Sequence, residues 1–499
     1  MSIAPKDGAL LGAAGLVPGV ASEPAAKLAR VRLGVLTAYG LGGLSDNFAQ
    51  FAINHLLLFY LTIVAGLSGT LAGLAMGTGS IVYAVVGPLV GWFSDNSHSR
   101  FGRRHQFMVI GLLPLAAGCG ILYSIPPSVT GTALFGCVMV ILVATWISQA
   151  MFNVPYMALG ADLSDDYRER SLIVSSRLLM GSLGTALATY LAFGVFLAGH
   201  NGQTHRAAYT PLAWSCAAIL VLGASISILG TFGARRKMSS VASVHKISLR
   251  RFPREIGELF QSRSFRTLFF LAIGISIAWG ASLALNLHAN TYFWQLTTKQ
   301  IRNVALLMPL GSSMGVILAA GLSRFLQKRA VSTIGMAMML ASQLAIVPLR
   351  LAGLIDTQNV IAAVCLSTLL TSGGFSVAVV GYQSMMADAA DEHEHLFGTR
   401  RQALYYSGTG FAAWAGTGIG ALIAGVALDL IGFPHGLHGG APIALAPEVI
   451  RNLGLVYGPA MAAFTVVGII ILQGYRLDSG KHGIIRTALS SRRDQTEAS

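Results

Sequence analysis

The chain has 499 residues; 54% are hydrophobic, and only 11% are Asp, Glu, Lys or Arg, less than half the charged share of an ordinary soluble domain. So much apolar surface exceeds what one water-soluble core can bury, which excludes a soluble enzyme. The net charge of +14 would suit a nucleic-acid partner, but the cations are spread over many short segments rather than gathered in a folded basic module, and that class is excluded as well.

Residues 1–32 read as a cytoplasmic tail without a cleavable signal peptide. Apolar runs long enough to cross a bilayer then occupy roughly 33–64, 70–94, 106–125, 131–160, 172–198 and 209–233. A polar, strongly basic stretch at 234–266 follows as a cytoplasmic linker. Six more runs cover roughly 267–296, 302–326, 331–353, 358–386, 402–432 and 451–474, and residues 475–499 form a second cytoplasmic tail. The predicted fold is an all-α membrane protein of twelve transmembrane helices in two pseudo-symmetric six-helix bundles, 33–233 and 267–474. Cys119, Cys137, Cys216 and Cys365 all fall inside apolar runs, with no metal or disulfide spacing.

An even number of spans puts both termini on one side. Of the 34 Lys and Arg residues, 28 fall on that side and five on the other, with Arg177 inside the fifth run. The positive-inside rule therefore places both termini in the cytoplasm of a bacterial-type inner membrane. The basic charge is a topology signal, and the expected partners are the lipid bilayer and a small-molecule solute.

The two halves echo each other. Ala161-Asp162-Leu163-Ser164-Asp165 follows the fourth run, and Ala387-Asp388-Ala389-Ala390-Asp391 follows the tenth, 226 residues later. Arginines come after each: Arg168 and Arg170, then Arg400 and Arg401. Asp95 at the end of the second run leads into Arg100, Arg103 and Arg104. Arg–carboxylate pairs among these groups would fasten the cytoplasmic helix ends and release as the halves rock. Repeated halves are what alternating-access transporters are built from.

Within the runs, charge is costly and therefore informative. Asp46 is the acid deepest in an apolar run. Asn47, Gln50 and Asn54 follow it at a spacing that shares one helix face, with His55 next. The seventh run carries Asn286, His288 and Asn290, the two amides one turn apart. Arg177 follows Ser175-Ser176, and Asn153 stands beside Pro155, where a helix break favours pocket lining. Asp46 and His288 are the coupling-ion candidates, as proton carriers. There is no metal-ligand constellation, P-loop or nucleophile motif, so no metal, no cofactor and no enzymatic activity are expected.

Together these stretches resemble the glycoside–pentoside–hexuronide:cation symporter family, the melibiose-permease branch of the major facilitator superfamily. The resemblance runs through Asp46-Asn47-Phe48-Ala49, Gly66-Leu67-Ser68, Gly87-Pro88 to Arg103-Arg104, Asn153-Val154-Pro155-Tyr156 to Arg170, Arg177, and Arg400-Arg401-Gln402-Ala403, within roughly residues 33 to 475. It implies a central site between two bundles, with uptake of sugars driven by Na⁺, Li⁺ or H⁺. Its cation-binding aspartates fall at Tyr83, Gly87 and Asn153 here, its helix-4 Trp at Met157 and its helix-11 Lys at Trp414; only Arg177 is retained. The expected function is secondary active transport of a small organic solute, a sugar or glycoside, with H⁺ favoured over Na⁺. The alternative is a lysophospholipid-like or amphipathic solute in the same fold. One chain holds the full two-fold-related unit, consistent with a monomer.

Overall fold

A computed structural model describes residues 33–97, 99, 102–164, 166–199, 202–233, 257–356, 358–398, 402–436 and 445–497. The tail at 1–32 and most of the linker lie outside the described residues. Among the described residues, twelve helices are long and apolar enough to cross a membrane. The first half contains α1 (Leu33–Val64), α2 (Gly69–Asp95), α3 (His105–Leu122), α4 (Gly131–Asp162), α5 (Glu169–Phe196) and α6 (Arg206–Phe232). The second contains α7 (Arg263–Phe293), α8 (Thr298–Leu322), α9 (Lys328–Leu351), α10 (Val360–Phe397), α11 (Leu404–Leu430) and α12 (Pro447–Leu472). A thirteenth helix, α13 (Ser479–Glu497), occupies what the sequence suggested was a plain tail.

The apolar runs locate these helices to within about four residues, with one exception. Helix α10 continues eleven residues past Met386, the expected end, and stops at Gly398, whose φ of 70° turns the chain out of the helix. Hydropathy marks where a helix meets water, not where it ends. Asp388 and Asp391 therefore lie on α10 rather than in a loop, and Asp162 is the last residue of α4.

Helix α1 packs on α5 and α6, and α3 and α4 on each other, with α2 against α4. In the second half α7 packs on α11 and α12, and α10 on α8 and α9. The halves meet through α1 with α7, α2 with α11, and α5 with α8.

The first helices of the two halves finish in the same way. Each closes on a widened i→i+5 turn, Tyr60–Val64 in α1 and Ala289–Phe293 in α7. A left-handed residue follows, Gly66 at φ 78° and Gln295 at φ 53°. Then a hydroxyl caps the next helix: Ser68 accepts from Leu71 N, and Thr297 forms a capping box with Gln300. Glycine adopts such a φ without strain, whereas Gln295 does so as the only positive-φ non-glycine residue among those described.

Candidate functional site

Between the halves lies a cavity of ≈350 Å³, lined from α1 by Asp46, Asn47 and His55, from α4 by Tyr156, and from α5 by Arg177, Ser182 and Thr185. Trp279 of α7 and Met308, Pro309 and Ser312 of α8 complete the wall. Small residues make room for it. Gly43 lets α1 approach the Arg177 backbone of α5, and Gly181 stands beside the Asn47 amide.

Asp46 is held from α4, where Gln149 donates to its carboxylate and Asn153 stands beside it. Tyr83 Oη on α2 donates in turn to Asn153 Oδ1 at 3.0 Å. Asn47 Nδ2 donates to Gly43 O at 2.9 Å, and its Oδ1 accepts from Thr185 Oγ1 at 3.1 Å. Arg177 lies close enough to Asp46 to act on it electrostatically. Its Nε and Gln149 Oε1 are buried without a hydrogen-bond partner among the described residues. Such groups are costly to leave unmet; of the two residues Arg177 lines the cavity, where a polar solute would meet it.

Trp414 of α11 stands behind this site. Its ring lies 4.6 Å from Tyr83 and 5.3 Å from Trp146, and the three rings join α2, α4 and α11. Gln50 accepts from Asn54 Nδ2 at 2.8 Å, so these two satisfy each other along α1. Asn290 likewise donates to Asn286 at 2.9 Å, and Asn286 to Tyr457 Oη of α12 at 3.2 Å. None of these four lines the cavity, nor does the half-exposed Met157.

His288 sits elsewhere, in the seal at the end away from the termini. Its Nε2 is 2.9 Å from Thr62 Oγ1 of α1, and its ring contacts Phe59 and Phe433. Asp429 of α11 accepts from the backbone N–H groups of Gly69 and Thr70, both at 2.7 Å, and so caps the start of α2 from the other half. His435 Nε2 is 3.2 Å from the same carboxylate. Gln203 bridges Thr291 and Thr298 at 2.8 and 3.2 Å. Beneath these contacts Gly69, Gly73 and Gly77 bring α2 directly onto the backbone of α11 at Gly425, Ala421 and Gly418.

Past Tyr83 and Trp414 the glycines of the two helices no longer face each other. Gly87 and Gly91 of α2 face Val154 of α4, and Gly408 of α11 faces Phe265 of α7, each within its own half. On this side the acidic motifs fasten elements inside one half. Asp162 meets Arg103 at 2.9 Å and Arg104 at 3.0 Å, and Asp95 is 3.7 Å from Arg104. Burial pulls the Arg104 guanidinium below its ordinary range, and Asp162 and Asp95 oppose that pull. Asp388 takes Lys328 of α9 at 2.7 Å, and His482 of α13 approaches Asp391 at 3.1 Å. Arg170 Nε donates to Ser164 O at 2.7 Å. Arg100, Asp165, Arg400, Arg401 and the side chain of Arg168 lie outside the described residues.

The model of the family described as MFS/sugar transport protein matches residues 38–479. The chain belongs to that family. An uncharacterized symporter of Synechocystis is 24% identical over 91% of this chain and 96% of its own. The isoprimeverose transporter of Lactiplantibacillus pentosus is 21% identical over 79% and 80%. A bacterial homologue of the human lysosomal transporter Spinster, a solved structure, superposes with a TM-score of 0.65 at 13% identity over 91% and 97% of the two chains. The protein is thus a multi-pass major facilitator that carries out secondary transport of a small solute.

The sequence pointed to Asp46, Asn47, Asn153 and Arg177, and the structure gathers them at one site. Gln149 was missed, although it stands one turn before Asn153 on α4. The glycines at 69, 73 and 77 were also missed, although their spacing of four is the signature of close helix contact. Ser182, Thr185 and Ser312 carried no signal, because hydroxyls in membrane helices routinely bond their own backbone, as Thr145 does to Ile141 O.

Proposed function

We propose that the protein imports a sugar or glycoside together with a proton, by alternating access between this conformer and one open at the far end. One observation carries the reading: among the described residues, a single carboxylate, Asp46, and a single guanidinium, Arg177, face the same cavity between the halves. Amides and hydroxyls around them suit a polyol, and the Trp279 ring on the wall suits the apolar face of a pyranose. The names of the isoprimeverose transporter and of the symporter relatives support coupled sugar transport.

A carboxylate beside an unfilled guanidinium links two events. When Asp46 takes a proton from the far side, its charge no longer holds Arg177, whose donors turn to solute hydroxyls. When the cavity faces the termini, solute leaves and the proton follows. The Tyr83 and Asn153 positions hold phenol and amide rather than carboxylate, which favours H⁺ over Na⁺ as the coupling ion. The distribution of Lys and Arg supports cytoplasmic termini in a bacterial-type inner membrane. The Arg103–Asp162 and Lys328–Asp388 clusters serve as struts that keep each half rigid while it rocks.

The test is solute-induced proton movement in proteoliposomes over a panel of sugars and glycosides, with Asp46→Asn alongside. A pH change with one solute, lost in Asp46→Asn while counterflow persists, is expected. Counterflow without a pH or Na⁺ response would overturn the coupling. No movement of any sugar would overturn the substrate class and pass the reading to a lysophospholipid-like solute.

A further inference from the structure

A second cavity, of ≈790 Å³, lies on the side of the termini in the second half, between the α8–α9 turn, the end of α10 and the start of α13. None of its lining residues lines the transport cavity. Its wall is strongly cationic, with Arg324, Lys328, Arg329, Arg476, Lys481 and His482 set against the carboxylates of Asp388 and Asp478. Asp388 is already occupied by Lys328 at 2.7 Å and by His482 at 3.5 Å. Arg329 donates to the Gln473 amide, and Asp478 accepts from the Lys481 backbone at 2.8 Å. The Arg324, Arg476 and Lys481 side chains make no ion pair among the described residues. Cations of one sign around a concavity repel each other, and a bound anion would offset that repulsion.

The place of the cavity says which anion. It sits where α8 ends at Leu322, α9 begins at Lys328 and α12 ends at Leu472, the depth at which apolar spans give way to water. Phe325, next to Arg324 on the cavity wall, is 86% exposed, and Leu326 beside it is also exposed. A phenyl ring and an isobutyl group projecting beside arginines suit the boundary between acyl chains and headgroups. A soluble phosphate would use the cations but leave the apolar pair in water.

We propose that this cavity binds the headgroup of an anionic phospholipid, with Arg324, Arg476 and Lys481 taking the phosphate and Phe325 and Leu326 lying against the acyl chains. Arginine suits the task because its planar fork matches two phosphate oxygens at once. Basic pockets at helix ends on the cytoplasmic side are suited to such lipids. Bound there, the lipid would join α13 to the α8–α9 turn.

The experiment uses the full-length protein in neutral detergent, with bound ligand read by native mass spectrometry. Phosphatidylglycerol, phosphatidylcholine and water-soluble glycerophosphoglycerol are titrated separately. Phosphatidylglycerol is expected to bind at least tenfold more tightly than either of the others. The triple variant Arg324→Gln/Arg476→Gln/Lys481→Gln should weaken it roughly a hundredfold, at about fivefold per cation. Arg476→Gln alone should give one such step, which keeps the test decisive if the triple variant folds poorly. Arg451→Gln, which removes the same charge at the opposite end, should change nothing. Equal binding of phosphatidylcholine would overturn the anionic assignment, and equal binding of glycerophosphoglycerol would overturn the lipid assignment. Unchanged phosphatidylglycerol binding in both cation variants would overturn the site itself.

Discussion

The transport cavity and the seal above it are both lined with polar side chains inside the membrane, but these side chains are engaged differently. At the seal, Thr62 meets His288, Asp429 caps α2 and Gln203 bridges to α7 and α8, each contact running from one half to the other. In the cavity, Asp46 is held from within its own half, and Arg177 Nε has no partner among the described residues. Polar groups joined across the halves fasten a conformer. Polar groups left with donors and acceptors to give are placed to meet a solute. Helices α1 and α7 make the same contrast within the repeat. They end alike, but α7 carries Ile275 and Ser276, without a charge, where α1 carries Asp46 and Asn47.

The largest expected effect tests the cavity side of this contrast. Arg177→Ala removes the one guanidinium that faces the cavity among the described residues, and with it the charged donors offered to a solute. Solute counterflow should fall by at least about a hundredfold, with the helical content of the purified protein unchanged. Arg177→Lys should recover only part of it, since an ammonium cannot reproduce the fork. Transport within a few-fold of normal in Arg177→Ala would mean that the guanidinium only packs α5 against α1.

The next two test the seal. A Cβ at Gly77 would lie 2.8 Å from the Gly418 carbonyl oxygen, a backbone atom that cannot swing aside. Gly77→Leu should therefore wedge α2 from α11, at a cost of about 1–3 kcal/mol or more. Thiol labelling of a cysteine placed at Thr291 should become fast, while sugar binding persists. Asp429→Asn is milder. The amide keeps one acceptor for the Gly69 and Thr70 N–H groups but loses the charge that strengthens both bonds, about 1.5 kcal/mol. Labelling at the same position should speed up about tenfold. An unchanged rate in both variants would break the assignment of this end as a gate.

Much of this arrangement was legible in the sequence, because lipid enforces simple rules. Apolar length gave the twelve spans, and the cost of burying charge made Asp46 and Arg177 conspicuous among apolar neighbours. The α1 face was readable from spacing, but its use was not. Asn47 reaches the cavity, while Gln50 and Asn54 bond each other. The acids at 388 and 391 were visible as a repeat, yet their place on α10 was not, since a helix continues into water without any apolar signal. In the sequence Asp429 is only an acid near the end of an apolar run. Its role depends on meeting the first residues of α2, 360 positions earlier in the chain.

His288 sharpens the comparison with the smallest expected effect. In sequence it is as plausible a proton carrier as Asp46, because a polar residue in an apolar run looks the same whether it faces a cavity or a partner helix. In the structure it is fully buried against Thr62, Phe59 and Phe433 and does not line the cavity. Gln at this position can still bond the Thr62 hydroxyl through its amide, so the seal loses shape rather than a hydrogen bond. His288→Gln should shift the balance of conformers by no more than a few-fold, and the ratio of protons to solute should stay as in the unmodified protein. Loss of proton movement with counterflow intact would transfer the coupling role from α1 to α7. The division between a fastening end and a solute-binding middle would then fail, because one side chain would be doing both.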